Sequence, residues 1–183
     1  GWNLQYVPKD LRTKEMCEFA VKDFGWALEY VPEELKTREF CEFAVKEHGS
    51  ALEFVPLELI TPELCELAIK GVLGQGGNLK FVPYELRTKK LCELAVEDKG
   101  YALEHVPEEL KTTKMCEYAV SRDGWNLEYV PDEMKTLEMC IMAVKDCHWA
   151  IEFIQDYVPD EYREELADKY DIDLPKKTNE KGR

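Results

Sequence analysis

Thr13-Lys-Glu-Met-Cys-Glu-Phe-Ala-Val-Lys-Asp-Phe-Gly25-Trp26-Ala-Leu-Glu-Tyr-Val-Pro-Glu-Glu-Leu-Lys36 decides the fold of this chain, because the same pattern returns along nearly its whole length. Pro8, Pro32, Pro56, Pro83, Pro107 and Pro131 are spaced 24, 24, 27, 24 and 24 residues apart. The threonines Thr13, Thr37, Thr61, Thr88, Thr112 and Thr136 keep that spacing, as do Cys17, Cys41, Cys65, Cys92, Cys116 and Cys140. Three parallel series of this kind are the signature of stacked supersecondary units, each burying its apolar surface against its neighbours.

Within the unit, Thr13 suits a helix N-cap, and Glu15 sits in the first turn, where the helix dipole favours an anion. Gly25 suits a left-handed position just past the helix end. The spacing predicts a helix of about three turns, and Pro62 after Thr61 fits the first helical position, where its missing N–H is not needed. Glu15, Glu18 and Lys22 form one narrow polar stripe. Met16, Cys17, Phe19, Ala20, Val21 and Phe24 fill most of the remaining circumference, so the helix is expected to be packed on several sides. Glu18 with Lys22, Glu42 with Lys46 and Glu66 with Lys70 are pairs at i, i+4 on a solvated face. In the second half of the unit Pro32 interrupts a continuous helix. The reading there is a short helix at about 26–30 and a proline-started turn at about 32–35, both too short to be stable without stacking.

The predicted fold class is therefore all-α: a right-handed-type α-solenoid of about six to seven units, each a three-turn helix, a short helix and a proline turn, some 60 to 70 Å long at about 8 to 10 Å per packed helix. The solenoid is placed at residues 1–155, with a three-residue insertion in Gly71-Val-Leu-Gly-Gln-Gly76. His148 replaces the glycine that ends the other long helices, and the proline phase is lost after Gln155. The charged stretch Asp160 to Tyr170 suits a C-terminal capping helix at 156–174, and residues 175–183 are expected to be disordered. Gly1 begins in mid-unit, so no matching N-terminal cap is expected.

The copy Glu18-Phe-Ala-Val-Lys-Asp-Phe-Gly-Trp-Ala-Leu-Glu-Tyr-Val-Pro-Glu-Glu-Leu-Lys36 resembles a catalogued family of tandem helical repeats of this length, filed as a domain of unknown function and found in bacterial, protist and viral proteins. The resemblance covers roughly residues 1–155 and rests on the repeated Ala-Val-x-x-x-Gly-x-Ala-Leu-x-Tyr pattern. It implies a solenoid. It implies no activity and no catalytic residue.

Composition narrows the function classes. The formal net charge is −14, and the tail from Pro175 contributes +3, leaving −17 on residues 1–174. A body this acidic repels a polyanion, so nucleic acid is not expected as a partner, whereas a basic, amphipathic or small polar partner is easier to accommodate; the alternative is that the charge only maintains solubility. No run of about 18 apolar residues exists to span a bilayer, and no signal peptide is evident at Gly1-Trp2, so the expectation is a cytoplasmic, soluble monomer.

The chemical candidates are weak. Six cysteines share one position per unit on helices about 8 to 10 Å apart, beyond the separation a disulfide bridges, and Cys140 and Cys147 lack the close spacing of a zinc site. They are expected to be packed, reduced thiols. His148 beside Cys147 has no third ligand nearby in sequence. His105 occupies the slot held elsewhere by Tyr6, Tyr30, Phe54, Phe81, Tyr129 and Phe153, which marks it as an aromatic substitute. The glycines from Gly71 to Gly77 lack the Lys-Ser/Thr and the preceding strand of a phosphate loop. Ser50 and Ser121, the only serines, have no evident base and orienting partner. No catalytic residue, cofactor or metal is assigned, and the chain is expected not to be an enzyme.

One series stands out: Trp2, Trp26, Ser50, Gly77, Tyr101, Trp125 and Trp149, each following the glycine position. Burial between units is the expected role. Exposure would instead make an interrupted aromatic ladder, with the gap at Ser50 and Gly77 marking a bend or a distinct surface. Beside it runs an acidic row, Glu29, Glu53, Glu104, Glu128 and Glu152. The functional expectation is a non-enzymatic scaffold for a protein or peptide partner, with a basic peptide lying along Trp125, Glu128, Trp149 and Glu152. The alternative is a spacer or regulatory appendage to a catalytic domain outside this chain.

Overall fold

The computed structural model describes residues 2–71, 76–147, 150, 159, 164–165 and 168–169. Among these residues there are only α- and 3-10 helices and no strand. Among the described residues no helix is long and apolar enough to cross a membrane. Six α-helices carry the repeat: α1 (Lys14–Asp23), α2 (Arg38–Glu47), α3 (Pro62–Lys70), α4 (Lys89–Asp98), α5 (Thr113–Arg122) and α6 (Leu137–Asp146). Each is preceded by the expected threonine, whose Oγ1 accepts the N–H three residues on at 3.2–3.3 Å. Pro62 opens α3 as expected.

The short helices are 3-10 helices: Gly25–Tyr30, Gly49–Phe54, Gly76–Phe81, Gly100–His105 and Gly124–Tyr129. A three-residue 3-10 turn follows each proline, as at Glu33–Leu35. Six residues give too few bonds to hold such a segment alone, so packing sets its geometry. The row Leu28, Leu52, Leu79, Leu103 and Leu127, nearly or wholly inaccessible, anchors the short helices to the core. Beneath them lie the buried cysteines of α1 to α6 and the alanines one turn on, such as Ala44, Ala68 and Ala95.

The chain divides into two compact units, residues 1–111 and 112–183. In the first, α1 packs on α2, α2 on α3 and α3 on α4, and each short helix from Gly25–Tyr30 to Gly100–His105 packs on the next. Polar stitches run between repeats. Arg12 donates to the carbonyls of Val7 (2.8 Å) and of Tyr30 in the following short helix, and Arg87 donates likewise to Val82 (2.9 Å) and His105 (2.7 Å). A guanidinium at a helix C-terminus satisfies carbonyls that the helix leaves unbonded. In the second unit α5 packs on α6, and Asp146 accepts the Gly124 N–H at 2.8 Å.

Three expectations change. The glycine after each long helix is not left-handed: the cap residues Phe24, His48 and Asp123 are extended, and Gly25, Gly49 and Gly124 open the next short helix. Glycine is required there by close approach. A Cβ on Gly49 would stand 2.2 Å from the Ala68 carbonyl oxygen, and one on Gly124 2.4 Å from that of Ala143. Glu18 lies 3.7 Å from Lys14 rather than pairing toward Lys22, whereas Glu66 meets Lys70 at 3.0 Å as expected. Finally, α1 packs on α2 and on the short helices Trp2–Tyr6 and Gly25–Tyr30, but its apolar circumference is not wholly covered, since Met16 and Phe19 are exposed. The capping helix at 156–174 lies almost wholly, and the tail at 175–183 entirely, outside the described residues, as do positions 72–75 of the insertion.

Candidate functional site

Because the glycine presses against the following repeat, the residue after it is turned outward. Trp26 is 56% exposed, Tyr101 49% and Trp125 45%, so the expected burial of this series is overturned. The side chain of Trp2, and Trp149 altogether, lie outside the described residues.

In the first unit the interruption of the ladder proves to be the feature of interest. Trp26, Ser50, Gly77 and Tyr101 come from four successive short helices and line one groove of about 500 Å³, with Lys80, Phe81, Glu104 and His105 along it. Its lining thus combines two small residues with two exposed rings. The Tyr101 ring end lies close over Gly77, where an added Cβ would stand 2.4 Å from the Tyr101 hydroxyl and displace that exposed ring. Asn78, also in the lining, is buried and donates to the Ala68 carbonyl at 2.9 Å, which ties the short helix to α3.

The acidic row is broken at the same place. Lys80 stands where its neighbours have Glu53 and Glu104, and its Nζ lies 4.6 Å from the centre of the Phe81 ring. That cation–π contact occupies the lysine locally. His105 lies 3.8 Å from Glu104, yet its pKa is lowered, because burial outweighs the nearby carboxylate. Ser50 and His105 share the groove, but no hydrogen bond joins them, so the nucleophile–base contact of a hydrolase is not made. Among the described residues no three His, Cys, Asp or Glu side chains converge as metal ligands.

Of the residues singled out from sequence, Trp125 and Glu128 are both exposed on the short helix Gly124–Tyr129, one turn apart, with the Trp125 N–H held by Asp123 Oδ1 at 3.0 Å. Trp149 and Glu152 lie outside the described residues, as does His148. The sequence marks the gap at Ser50 and Gly77 as a bend or a distinct surface, and only the structure makes it a groove. Its only sequence signals were two small residues in an aromatic series and one lysine in an acidic one.

The six repeat cysteines are buried, and Cys147 is half-buried. Burial pushes the thiols of Cys41, Cys65 and Cys92 up to about 11, and raises Cys17 and Cys140 as well. None of the seven is in a disulfide.

The profile of one protein family, Domain of unknown function (DUF4116), matches residues 1–36, 13–60 and 114–163, well over half of the chain. The chain belongs to the DUF4116 family. The match at 13–60 spans two complete repeats of this structure, from the cap of α1 to the end of the second proline turn. A DUF4116 match of this length thus corresponds to two long helices with their short partners. No curated protein and no solved structure matches the chain.

Proposed function

We propose that this DUF4116 chain is a non-enzymatic scaffold, its repeats continuing as a right-handed α-solenoid, that docks a peptide segment of a protein partner. The observation that carries this reading is the pair of exposed rings, Trp26 and Tyr101, that line one groove with the small residues Ser50 and Gly77. Flat aromatic faces beside a shallow trough provide apolar contact at little entropic cost, which is how peptide-binding surfaces obtain affinity. Glu104 lines the trough, Glu29 and Glu53 are exposed at the same position of neighbouring short helices, and the chain's net charge is −14, which together favour a peptide with basic flanking residues. Trp125, Glu128, Trp149 and Glu152 hold the same sequence positions in the second unit and are proposed as a separate peptide-binding site there.

The test is selection of a displayed peptide library on the wild-type chain, followed by affinity measurement on the double variant Trp26→Ala, Tyr101→Ala. Enrichment of basic peptides whose affinity falls at least about tenfold, the equivalent of about 1.4 kcal/mol, in that variant is expected. Peptides that bind both proteins alike would refute the groove as the site. A chain that enriches no peptide would refute the scaffold reading.

A further inference from the structure

The side chains lining the groove offer more donors than acceptors. The Trp26 indole N–H and the Lys80 ammonium can only donate, and the hydroxyls of Ser50 and Tyr101 can donate as well. Glu104 carries the single carboxylate of the lining, and the Asn78 amide is already given to the Ala68 carbonyl. A ligand suited to such a lining brings acceptors and few N–H groups of its own. Proline does so: its backbone has a carbonyl but no N–H, and its ring packs on aromatic faces.

Span points the same way. Trp26 and Tyr101 stand on the first and last of the four successive short helices that line the groove. Three steps at about 8 to 10 Å per packed helix cover about 24 to 30 Å. A polyproline II tract, rising about 3.1 Å per residue, crosses that distance in about eight to ten residues, and it holds this form before it binds. Charge then gives the groove a direction. Lys80 and Glu104 are both exposed on adjacent short helices, so a cation on the ligand is repelled at one and drawn to the other. We infer, on the reading that the groove docks a peptide, that its ligand is a proline-rich segment in the polyproline II form with a basic residue beside Glu104, at the Tyr101 end. Trp26 and Tyr101 receive proline rings, and the hydroxyls of Ser50 and Tyr101 donate to proline carbonyls.

The probe is a dye-labelled synthetic peptide of about eight prolines with a pair of arginines at one end, compared with a twin in which alternate prolines are alanine. Fluorescence anisotropy on the whole chain at low salt reads both affinities. The proline peptide is expected to bind, and the twin, of equal charge, to bind at least about tenfold more weakly. Glu104→Lys is expected to weaken the arginine peptide and to bind a version with glutamates in place of the arginines more tightly than wild type does. Trp26→Ala with Tyr101→Ala is expected to abolish binding of the proline peptide. All three altered side chains are exposed, so the circular dichroism spectrum is expected to stay unchanged. A twin that binds as tightly as the proline peptide, with both lost in the double alanine variant, overturns the inference and leaves the peptide groove standing. So does a chain that ignores the proline peptide yet binds library-selected peptides through Trp26 and Tyr101. A proline peptide indifferent to Glu104→Lys overturns the placing of the basic residue. Binding that survives the double alanine variant, or no binding of any peptide, overturns this inference together with the groove reading on which it rests.

Discussion

Replacing Gly49 separates two reasons for a glycine. If the residue were a left-handed helix end, alanine there would cost about 1–2 kcal/mol, and asparagine, which tolerates that conformation, would be nearly harmless. The structure gives a different cause: an added Cβ meets the Ala68 carbonyl oxygen at 2.2 Å and the Asn78 side-chain nitrogen at 2.3 Å. One obstacle is backbone at the end of α3, and the other is a buried amide already bonded to that carbonyl. Neither moves without shifting the next repeat. Overpacking of this kind costs about 1–3 kcal/mol, offset by about 0.4–1 kcal/mol from the stiffer unfolded chain. Gly49→Ala is therefore expected to destabilise by about 2 kcal/mol, a loss of about 4–8 °C in Tm for a chain of this size. Gly49→Asn, being bulkier, is expected to cost more than alanine. Urea unfolding followed by circular dichroism provides both free energies. An asparagine variant as stable as wild type, or more stable than the alanine variant, would refute the close-approach argument.

Asn126 donates to the Ala119 carbonyl at 2.8 Å, but that oxygen also accepts the Asp123 N–H, so Asn126→Ala is expected to cost only about 1 kcal/mol in the same urea assay. His105 has a folded-state pKa below its ordinary 6.5, so the unfolded chain takes up the proton first. Its contribution is fully present above pH 6.5 and is lost as pH falls through the lower folded value; His105→Phe should flatten the stability profile in that window. The buried cysteines predict that reductant and EDTA leave Tm unchanged. A thiol reagent should reach at most the half-buried Cys147 quickly in the native protein and all seven thiols in denaturant.

The sequence by itself determined what depends on neighbours along the chain. Threonine before an apolar run fixes a cap whatever surrounds it, and proline ends the short helix because its ring and missing N–H act locally. The repeat period then required an all-helical chain of like units, and the cysteines at one position per unit had to be small buried groups. Tertiary structure decided what depends on neighbours across the stack. Gly49 reads as a helix end, yet its need is set by Ala68 and Asn78, 19 and 29 positions further on. Trp26 reads as core because it is large and apolar, yet the tight glycine before it turns it to solvent. Met16 and Met115 hold the same place in the repeat, and one is 41% exposed while the other is 5%. Local hydrogen bonding follows from residue order, but burial follows from which surface arrives opposite, and a periodic sequence gives equivalent residues the same letters before their surroundings have made them different.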